Sequence, residues 1–323
     1  MTTAAQALAR RARWRWPEFV FWLAAFGALL LPSGKYLILN EIAILALFAL
    51  SLDLILGYAG IVSLGHAAFF GAGAYAAGLL AKHLTGDPLA GLALAIVVAT
   101  ILGFLTSFLV LRGSDLTRLM VTLGVALLLG EVANALPRYT GGADGLQGVV
   151  MGPLLGHFEF DLFGRTAYAY SLTVLFVLTL LARRIVHSPF GLSLMSVRRN
   201  PLRAAALGVP VNSRLVAVYT LAAAYAGAAG ALLAQTTAFV SLDVFEFHRS
   251  ADLLLVLIIG GAGWLYGGVA GAVIYKMLQD TIASLTPEYW QFWIGLFLVA
   301  FVMIGRQRLV GGLYRLLAVA RRR

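Results

Sequence analysis

The sequence contains no cysteine, few charged residues and only five histidines among 323 residues. Without cysteine the chain forms no disulfide, thiolate metal site or cysteine nucleophile. The histidines are scattered, no two are four residues apart, and HExxH is absent, so the sequence gives no support for a metal site. We therefore expect no bound metal.

Charged residues make up only 12% of the chain, against roughly 25% in soluble domains. Hydrophobic residues reach 61%, and the mean hydropathy is +0.90. Apolar runs of membrane-spanning length recur along the chain, and a soluble core has no use for so many. The composition predicts an all-α polytopic membrane protein whose residues 1–323 form one transmembrane domain.

Ten apolar segments predict about ten transmembrane helices. The first follows four arginines, as a signal peptide does, but no small-x-small cleavage motif follows it, so we expect an uncleaved helix. Glycines between Gly260 and Gly268 separate the eighth and ninth segments and predict an interruption there. The predicted spans are 18–33, 36–57, 62–81, 88–111, 119–137, 166–184, 215–235, 250–263, 266–285 and 289–305.

Lysine and arginine are distributed unevenly between the two sides of these spans. With the N-terminus inside, the cytoplasmic segments carry 18 of them and the opposite side carries 5. This asymmetry predicts a multi-pass membrane protein with both termini cytoplasmic. It also predicts a cytoplasmic loop at 185–214 and an extracytoplasmic loop at 138–165. The net charge of +10 is then explained by the basic residues on the cytoplasmic side. We expect these residues to contact membrane lipid and not nucleic acid.

The cytoplasmic loop has its own helix signals. Asn200 and Pro201 suit the N-cap and first position of a helix, and Gly208 suits its left-handed end, which predicts a short helix over 201–207. Six arginines and no acidic residue lie between 183 and 214. A helix this short is marginal in water and needs a packing surface. Two interpretations remain open: it lies on anionic lipid, or it docks on a cytoplasmic partner.

Small residues recur every four positions in the third segment, as in the pair Ala67 and Gly71, and again at Gly263, Gly267 and Gly271. This spacing lets helix backbones approach closely in lipid. The sequence therefore predicts a tightly packed bundle.

Nine polar residues fall within the predicted spans. Such residues are functional candidates by default, although several lie near span ends. Lys276 and Asp280 are four apart, a spacing that allows an ion pair. Ser63 and His66 share a helix face, as in a hydrolase dyad, but no third member or oxyanion hole is evident. The nine are Asn40, Glu41, Asp53, His66, Glu131, Asn134, Asp252, Lys276 and Asp280.

No GxxxxGK[ST] motif occurs, so the chain carries no P-loop of its own. If ATP drives its activity, a separate subunit must bind the nucleotide. The intramembrane carboxylates do not form the regular series of a proton or sodium relay, which argues against ion-driven transport.

Four patches resemble the permease subunits of branched-chain amino acid ABC importers, and the outer TGGADGL loop makes the M-type subunit the nearest. In chain order the patches are LDLILGYAGIVSLGHAAFFGAGAYAAGLL (52–80), TGGADGL (140–146), SPFGLSLMSVRRNPLRAAALGVPVN (188–212) and IGGAGWLYGGVAGA (259–272).

The resemblance implies the ABC importer permease fold, no covalent chemistry and no cofactor, since ATP is bound by partner subunits. The implied partners are an H-type permease, two cytosolic ATPases and an extracytoplasmic binding protein. It also assigns ATPase docking to the short loop helix. The docking residues are Arg199, Asn200, Pro201, Leu202, Arg203, Ala204, Ala205, Ala206, Leu207 and Gly208.

Two further sets of candidate residues follow. Ser63, His66, Glu131 and Asn134 are candidates for the substrate pathway. On the binding-protein side, the candidates are Thr140, Gly141, Gly142, Asp144 and Gly145. Three alternatives stay open: a urea or amide ABC permease, which shares much of this pattern, an ion-driven secondary transporter, and a membrane-embedded hydrolase.

Overall fold

A computed structural model describes residues 16–30, 35–161 and 163–304. Across these residues the secondary structure is helical apart from two isolated β-bridges, Leu146 with Val240 and Leu154 with Phe158. The all-α prediction is confirmed. The end of the first predicted span, at 31–33, and the arginines of both termini lie outside the described residues.

A helix occupies each of the ten predicted spans. The helices are α1 (Trp16–Gly27), α2 (Tyr36–Leu52), α3 (Ala67–His83), α4 (Pro88–Val110), α5 (Asp115–Ala135), α7 (Arg165–Val186), α10 (Val211–Thr237), α11 (Phe247–Gly260), α12 (Gly267–Leu285) and α13 (Trp290–Ile304). The remaining helices are short: α6 (Pro137–Thr140), α8 (Pro189–Arg199) and α9 (Pro201–Ala206).

Within the described residues, five helical segments are long and apolar enough to cross a membrane by themselves. They are Tyr36–Gly57, Pro88–Val110, Asp115–Ala135, Arg165–Val186 and Val211–Thr237. The most apolar parts of the first and last are 72% buried within the chain, whereas that of α5 is only 17% buried. The chain therefore packs around α2 and α10, and α5 lies at its edge.

Small residues set the helix packing, as the sequence predicts. On α3, a Cβ at Gly73 would lie within 2.5 Å of the Cα of Gly227 on α10. Gly227 in turn packs on Ala95 and Ala99 of α4. The backbones of these three helices are therefore in contact. In lipid, where the hydrophobic effect does not drive helices together, such close packing stabilises their association.

The first helix is integrated into the bundle. The ring of Trp22 packs edge-on against Phe176 of α7 at 4.8 Å, and its indole N–H donates to the hydroxyl of Tyr266 at 3.3 Å. Glu18 forms an ion pair with Arg183 at the far end of α7, and both side chains are largely buried. These contacts tie α1 to α7 and to the segment before α12.

Two helical paths are interrupted at one end of the bundle. The α2 helix continues as a π-helix over Asp53–Gly57. The chain between Gly260 and Gly267 is non-helical, where the sequence predicts an interruption. A π-turn is rare and interrupts the regular hydrogen bonds of an α-helix, and such turns are frequent at functional sites. The turn at Asp53–Gly57 therefore indicates a functional position.

Candidate functional site

The cytoplasmic loop predicted from the sequence forms a hairpin of two helices, α8 and α9. Asn200 caps α9 by accepting a hydrogen bond from the backbone N–H of Arg203 at 2.9 Å, and Gly208 has a φ of +85°. Both signals were predicted. Pro189 begins α8, and the Ser188 hydroxyl donates to the Ile185 carbonyl and does not cap α8.

The hairpin buries one side of α9 and leaves the other uncovered. Ala204 is its only buried residue, with 2% of its surface exposed. Leu202 and Leu207 are 83% and 76% exposed, and Arg199 and Arg203 are exposed beside them. The six-residue helix and its C-cap residue Leu207 therefore present two largely exposed leucines beside the two arginines.

The hairpin also reaches into the bundle. The Arg198 guanidinium donates to the carbonyl of Gly57, the last residue of the π-helix. Within that π-helix the fully buried Asp53 accepts a hydrogen bond from the backbone N–H of Gly263 at 2.6 Å. We call these four residues, Asp53, Gly57, Arg198 and Gly263, the hairpin junction.

Glycine is required at two positions of the hairpin junction. A Cβ at Gly57 would overlap the Asp53 carboxylate and lie 2.5 Å from the Gly263 nitrogen. Gly263 has a φ of +81°, which side chains disfavour. The junction therefore joins both helix interruptions to the loop hairpin through backbone groups. Its members come from three separate parts of the sequence. The sequence marks Asp53 by its polarity and Gly263 by the glycine spacing, but it does not indicate that they meet.

Two of the predicted pathway residues, Ser63 and His66, are fully buried. The His66 Nε2 lies 2.8 Å from the Ser51 hydroxyl, and its ring stacks on Phe48 at 5.8 Å. The Ser63 hydroxyl has no hydrogen-bond partner in the described part of the chain, so Ser63 and His66 form no hydrogen-bonded dyad. This arrangement gives the hydrolase alternative no support.

The other two, Glu131 and Asn134, lie on exposed positions of α5. They are therefore apart from Ser63 and His66, and the structure does not bring the four candidates into one site. Whether any of them contacts substrate stays a prediction.

The TGGADGL segment is an ordered turn. Thr140 Oγ1 lies 2.6 Å from the Ala133 carbonyl oxygen and accepts a hydrogen bond from Gly142 N–H at 3.2 Å. Gly141, Gly142 and Gly145 all have positive φ, which explains three glycines in six residues. The side chain of Asp144 is exposed at the surface.

The same loop ends at a helix cap. Asp161 accepts hydrogen bonds from the backbone N–H groups of Thr166 at 2.8 Å and Arg165 at 3.1 Å, at the start of α7. Burial opposes ionisation of Asp161, but these hydrogen bonds outweigh that effect and lower its pKa. The loop is therefore anchored by a carboxylate that is ionised at neutral pH.

A cavity of about 470 Å³ between α12 and α13 is apolar, but a larger one of about 790 Å³ is lined by charges. The larger cavity lies at the C-terminal end of α10, whereas α9 precedes the N-terminal end of that helix. Since α10 has 27 residues and rises about 1.5 Å per residue, its two ends are about 40 Å apart. The lining of the larger cavity includes Asn40, Glu41, Asp243, Arg249, Asp252 and Lys276. We call it the charged cavity.

Ion pairs in the charged cavity differ from the sequence expectation. Lys276 pairs with Glu41 on α2 at 2.5 Å and donates to Gln279 at 3.2 Å, whereas Asp280 is exposed. The expected pair of Lys276 with Asp280 is wrong, because the side chain on a neighbouring helix is the closer partner.

A second charged group lies beside this cavity. Arg249 Nε donates to Asp243 at 2.9 Å, and His248 lies within 3.2 Å of both Asp243 and Glu246. Among the described residues, Asp243, Glu246 and His248 place possible ligand atoms within 4.8 Å of one another. Arg249 already neutralises Asp243, so ion pairing accounts for this group.

Comparison with known proteins agrees with these features. The sequence profile of the family described as "Branched-chain amino acid transport system / permease component" matches residues 36–302. The high-affinity branched-chain amino acid transport system permease protein LivM of Salmonella typhimurium is 27% identical over 82% of this chain and 67% of its own length. LivM of Escherichia coli is 26% identical over 84% of this chain and 69% of its own length. No solved structure matches the chain.

The family match covers α2 to α12 and most of α13, and so includes the α8–α9 hairpin and the charged cavity. The apolar helices make the chain a multi-pass membrane protein. The chain belongs to the family of branched-chain amino acid transport system permease components.

Proposed function

We propose that this chain is the M-type permease subunit of an ABC importer that carries leucine, isoleucine and valine into the cell. It lies in the inner membrane with both termini in the cytoplasm, as the 18-to-5 distribution of basic residues indicates. Its partners are an H-type permease, two cytosolic ATPases that bind the ATP, and an extracytoplasmic amino-acid-binding protein. The chain itself needs no cofactor.

The exposed face of α9 is the observation that carries this proposal. Leu202 and Leu207 are apolar and almost fully exposed on a helix too short to be stable without a packing partner. Desolvating two leucines stabilises a docked complex by about 1.5–3 kcal/mol each. An ATPase surface that accepts this face gains both the leucines and the neighbouring arginines Arg199 and Arg203.

The hairpin junction supplies the path of coupling. Since Ala204 is buried against the rest of the chain and Arg198 is bonded to Gly57, a displacement of α9 moves α8 and strains the π-helix. The bond from Gly263 to Asp53 carries the same displacement to the segment before α12. ATP-driven closure of the ATPases then shifts two helices that line the charged cavity, α2 and α12.

Leu202→Glu tests the docking role. We expect it to abolish most leucine uptake by cells that express the whole importer, because a carboxylate replaces an apolar contact, while the amount of inserted protein is unchanged. Leu116→Glu is the matched control: Leu116 is 67% exposed at the start of α5, apart from the hairpin. Normal uptake by the Leu202→Glu variant would contradict ATPase docking at α9.

The same assay separates the alternatives. Excess urea or amide that competes with uptake better than isoleucine indicates the urea-type permease. Uptake that survives deletion of both ATPases and stops when the proton gradient is dissipated indicates a secondary transporter.

A further inference from the structure

The charged cavity has the volume and lining of a small-molecule site. Its 790 Å³ falls within the roughly 300–1,000 Å³ that ligand pockets occupy. One part of the wall is apolar and includes Ile44, Phe48, Phe70 and Leu255, and another part carries the polar and charged side chains. A ligand that suits it has an aliphatic portion and a polar, charged end.

Two features of the lining call for a cationic group. Asp252 has a hydrogen bond with Tyr275 and lies near Arg249 and His248, but it forms no salt bridge with any described residue. Glu41 and Asp243, in contrast, are each paired with a basic side chain. Asn40 is 95% buried, yet its Oδ1 accepts no hydrogen bond from the described residues. Buried polar atoms are normally satisfied, so this oxygen indicates an absent donor. An ammonium group supplies both the charge and the donors.

The same lining also offers a site for an anionic group. The Lys276 ammonium has three N–H donors, of which Glu41 and Gln279 account for two. The third is available to a carboxylate. Because Glu41 pairs with Lys276, the lysine charge is not left unpaired when the cavity is empty, and its remaining donor can still bind a ligand.

We propose that the charged cavity is a transit site for an α-amino acid in its zwitterionic form. Asp252 and Asn40 receive the ammonium, Lys276 receives the carboxylate, and Phe48 and Phe70 contact the aliphatic side chain. The inference rests on the proposed function and adds to it, because it gives the permease itself a role in recognising the solute. Its residues differ from the pathway candidates chosen from the sequence, although His66 stacks behind Phe48.

The absence of cysteine makes the site testable by labelling. Leu255→Cys places the only thiol on the cavity wall, one helical turn from Asp252 on the same face of α11. We expect a cationic methanethiosulfonate reagent to modify it in membranes that contain the whole importer, and millimolar leucine to slow the reaction. Neither 3-methylbutylamine, which lacks the carboxylate, nor 4-methylpentanoate, which lacks the ammonium, should protect it.

Asp252→Asn in the same background should raise the leucine concentration needed for protection about tenfold, because a charge-assisted hydrogen bond is lost. Asp280→Asn, the same change at an exposed position of α12, should leave protection unchanged. Ser284 is exposed and lies outside the cavity, so Ser284→Cys should be labelled at the same rate in the presence and in the absence of leucine.

Three results overturn the inference: no labelling of Leu255→Cys, equal labelling with and without leucine, or full protection in the Asp252→Asn variant. If uptake assays show leucine transport in the same cells, the proposed function stands and only the site fails. If leucine is not transported but another zwitterionic amino acid protects in an Asp252-dependent way, the site stands and the substrate assignment fails.

Discussion

Gly73 and Gly124 provide a matched test of the backbone-distance packing that holds the bundle together. Both are helical glycines, but a Cβ at Gly73 would lie 2.5 Å from the Gly227 Cα, whereas a Cβ at Gly124 would meet nothing within 4 Å. Carbon atoms pack at about 3.5–4.0 Å, so Gly73→Ala requires α3 and α10 to separate by roughly 1 Å.

The magnitudes follow from two opposing terms. Alanine favours a helix over glycine by about 1 kcal/mol, and this gain is common to both variants. Forcing a methyl group into a packed core costs about 1–3 kcal/mol, and this cost applies only to Gly73→Ala. The difference in unfolding free energy between the two variants is therefore the packing cost itself, about 1–3 kcal/mol.

Thermal unfolding of the purified full-length chain in detergent, followed as the fraction that stays monodisperse after heating, measures this difference. We expect Gly124→Ala to melt at or above the wild-type temperature and Gly73→Ala to melt below it. Equal midpoints for the two variants would refute the close approach of α3 to α10.

Two further predictions use the same measurement. Glu18→Gln should lower the unfolding free energy by about 3–5 kcal/mol, because it removes the negative charge that pairs with the largely buried Arg183. The control Asp115→Asn breaks an exposed pair with Arg118 and should cost less than about 1 kcal/mol, so equal losses would contradict the burial of the first pair. Asp161→Asn should lower stability at neutral pH, and this deficit should vanish as the pH falls below about 4, since a lowered pKa stabilises the fold only while the carboxylate is ionised. A deficit that persists in acid would show that its charge is not responsible.

The helices and the caps of the loop at 185–214 could be predicted from the sequence because their signals are local. Apolar runs mark the ten helices, and the Asn200, Pro201 and Gly208 positions mark the ends of α9. Each signal acts through backbone groups within a few residues. The family resemblance, based on four patches in order, is confirmed by the match over 36–302.

The contacts between helices could not be predicted in this way. Lys276 pairs with Glu41 and not with its helical neighbour Asp280, and Arg198 donates to the Gly57 carbonyl. Both contacts depend on how the helices pack, which the local sequence does not specify. The charged cavity is likewise formed by residues more than 200 positions apart in sequence, such as Asn40 and Lys276. Glu131 and Asn134 are polar and intramembrane by sequence, yet they lie on the edge helix α5.

The π-turn at Asp53–Gly57 constrains how the length of this segment can change. A π-turn holds one residue more than the α-helical ladder requires. Because the π-turn accommodates that extra residue locally, deleting one residue here would close the turn into a regular α-helical ladder and move the Gly57 carbonyl that receives Arg198. An insertion or deletion at this point therefore changes the geometry of the hairpin junction.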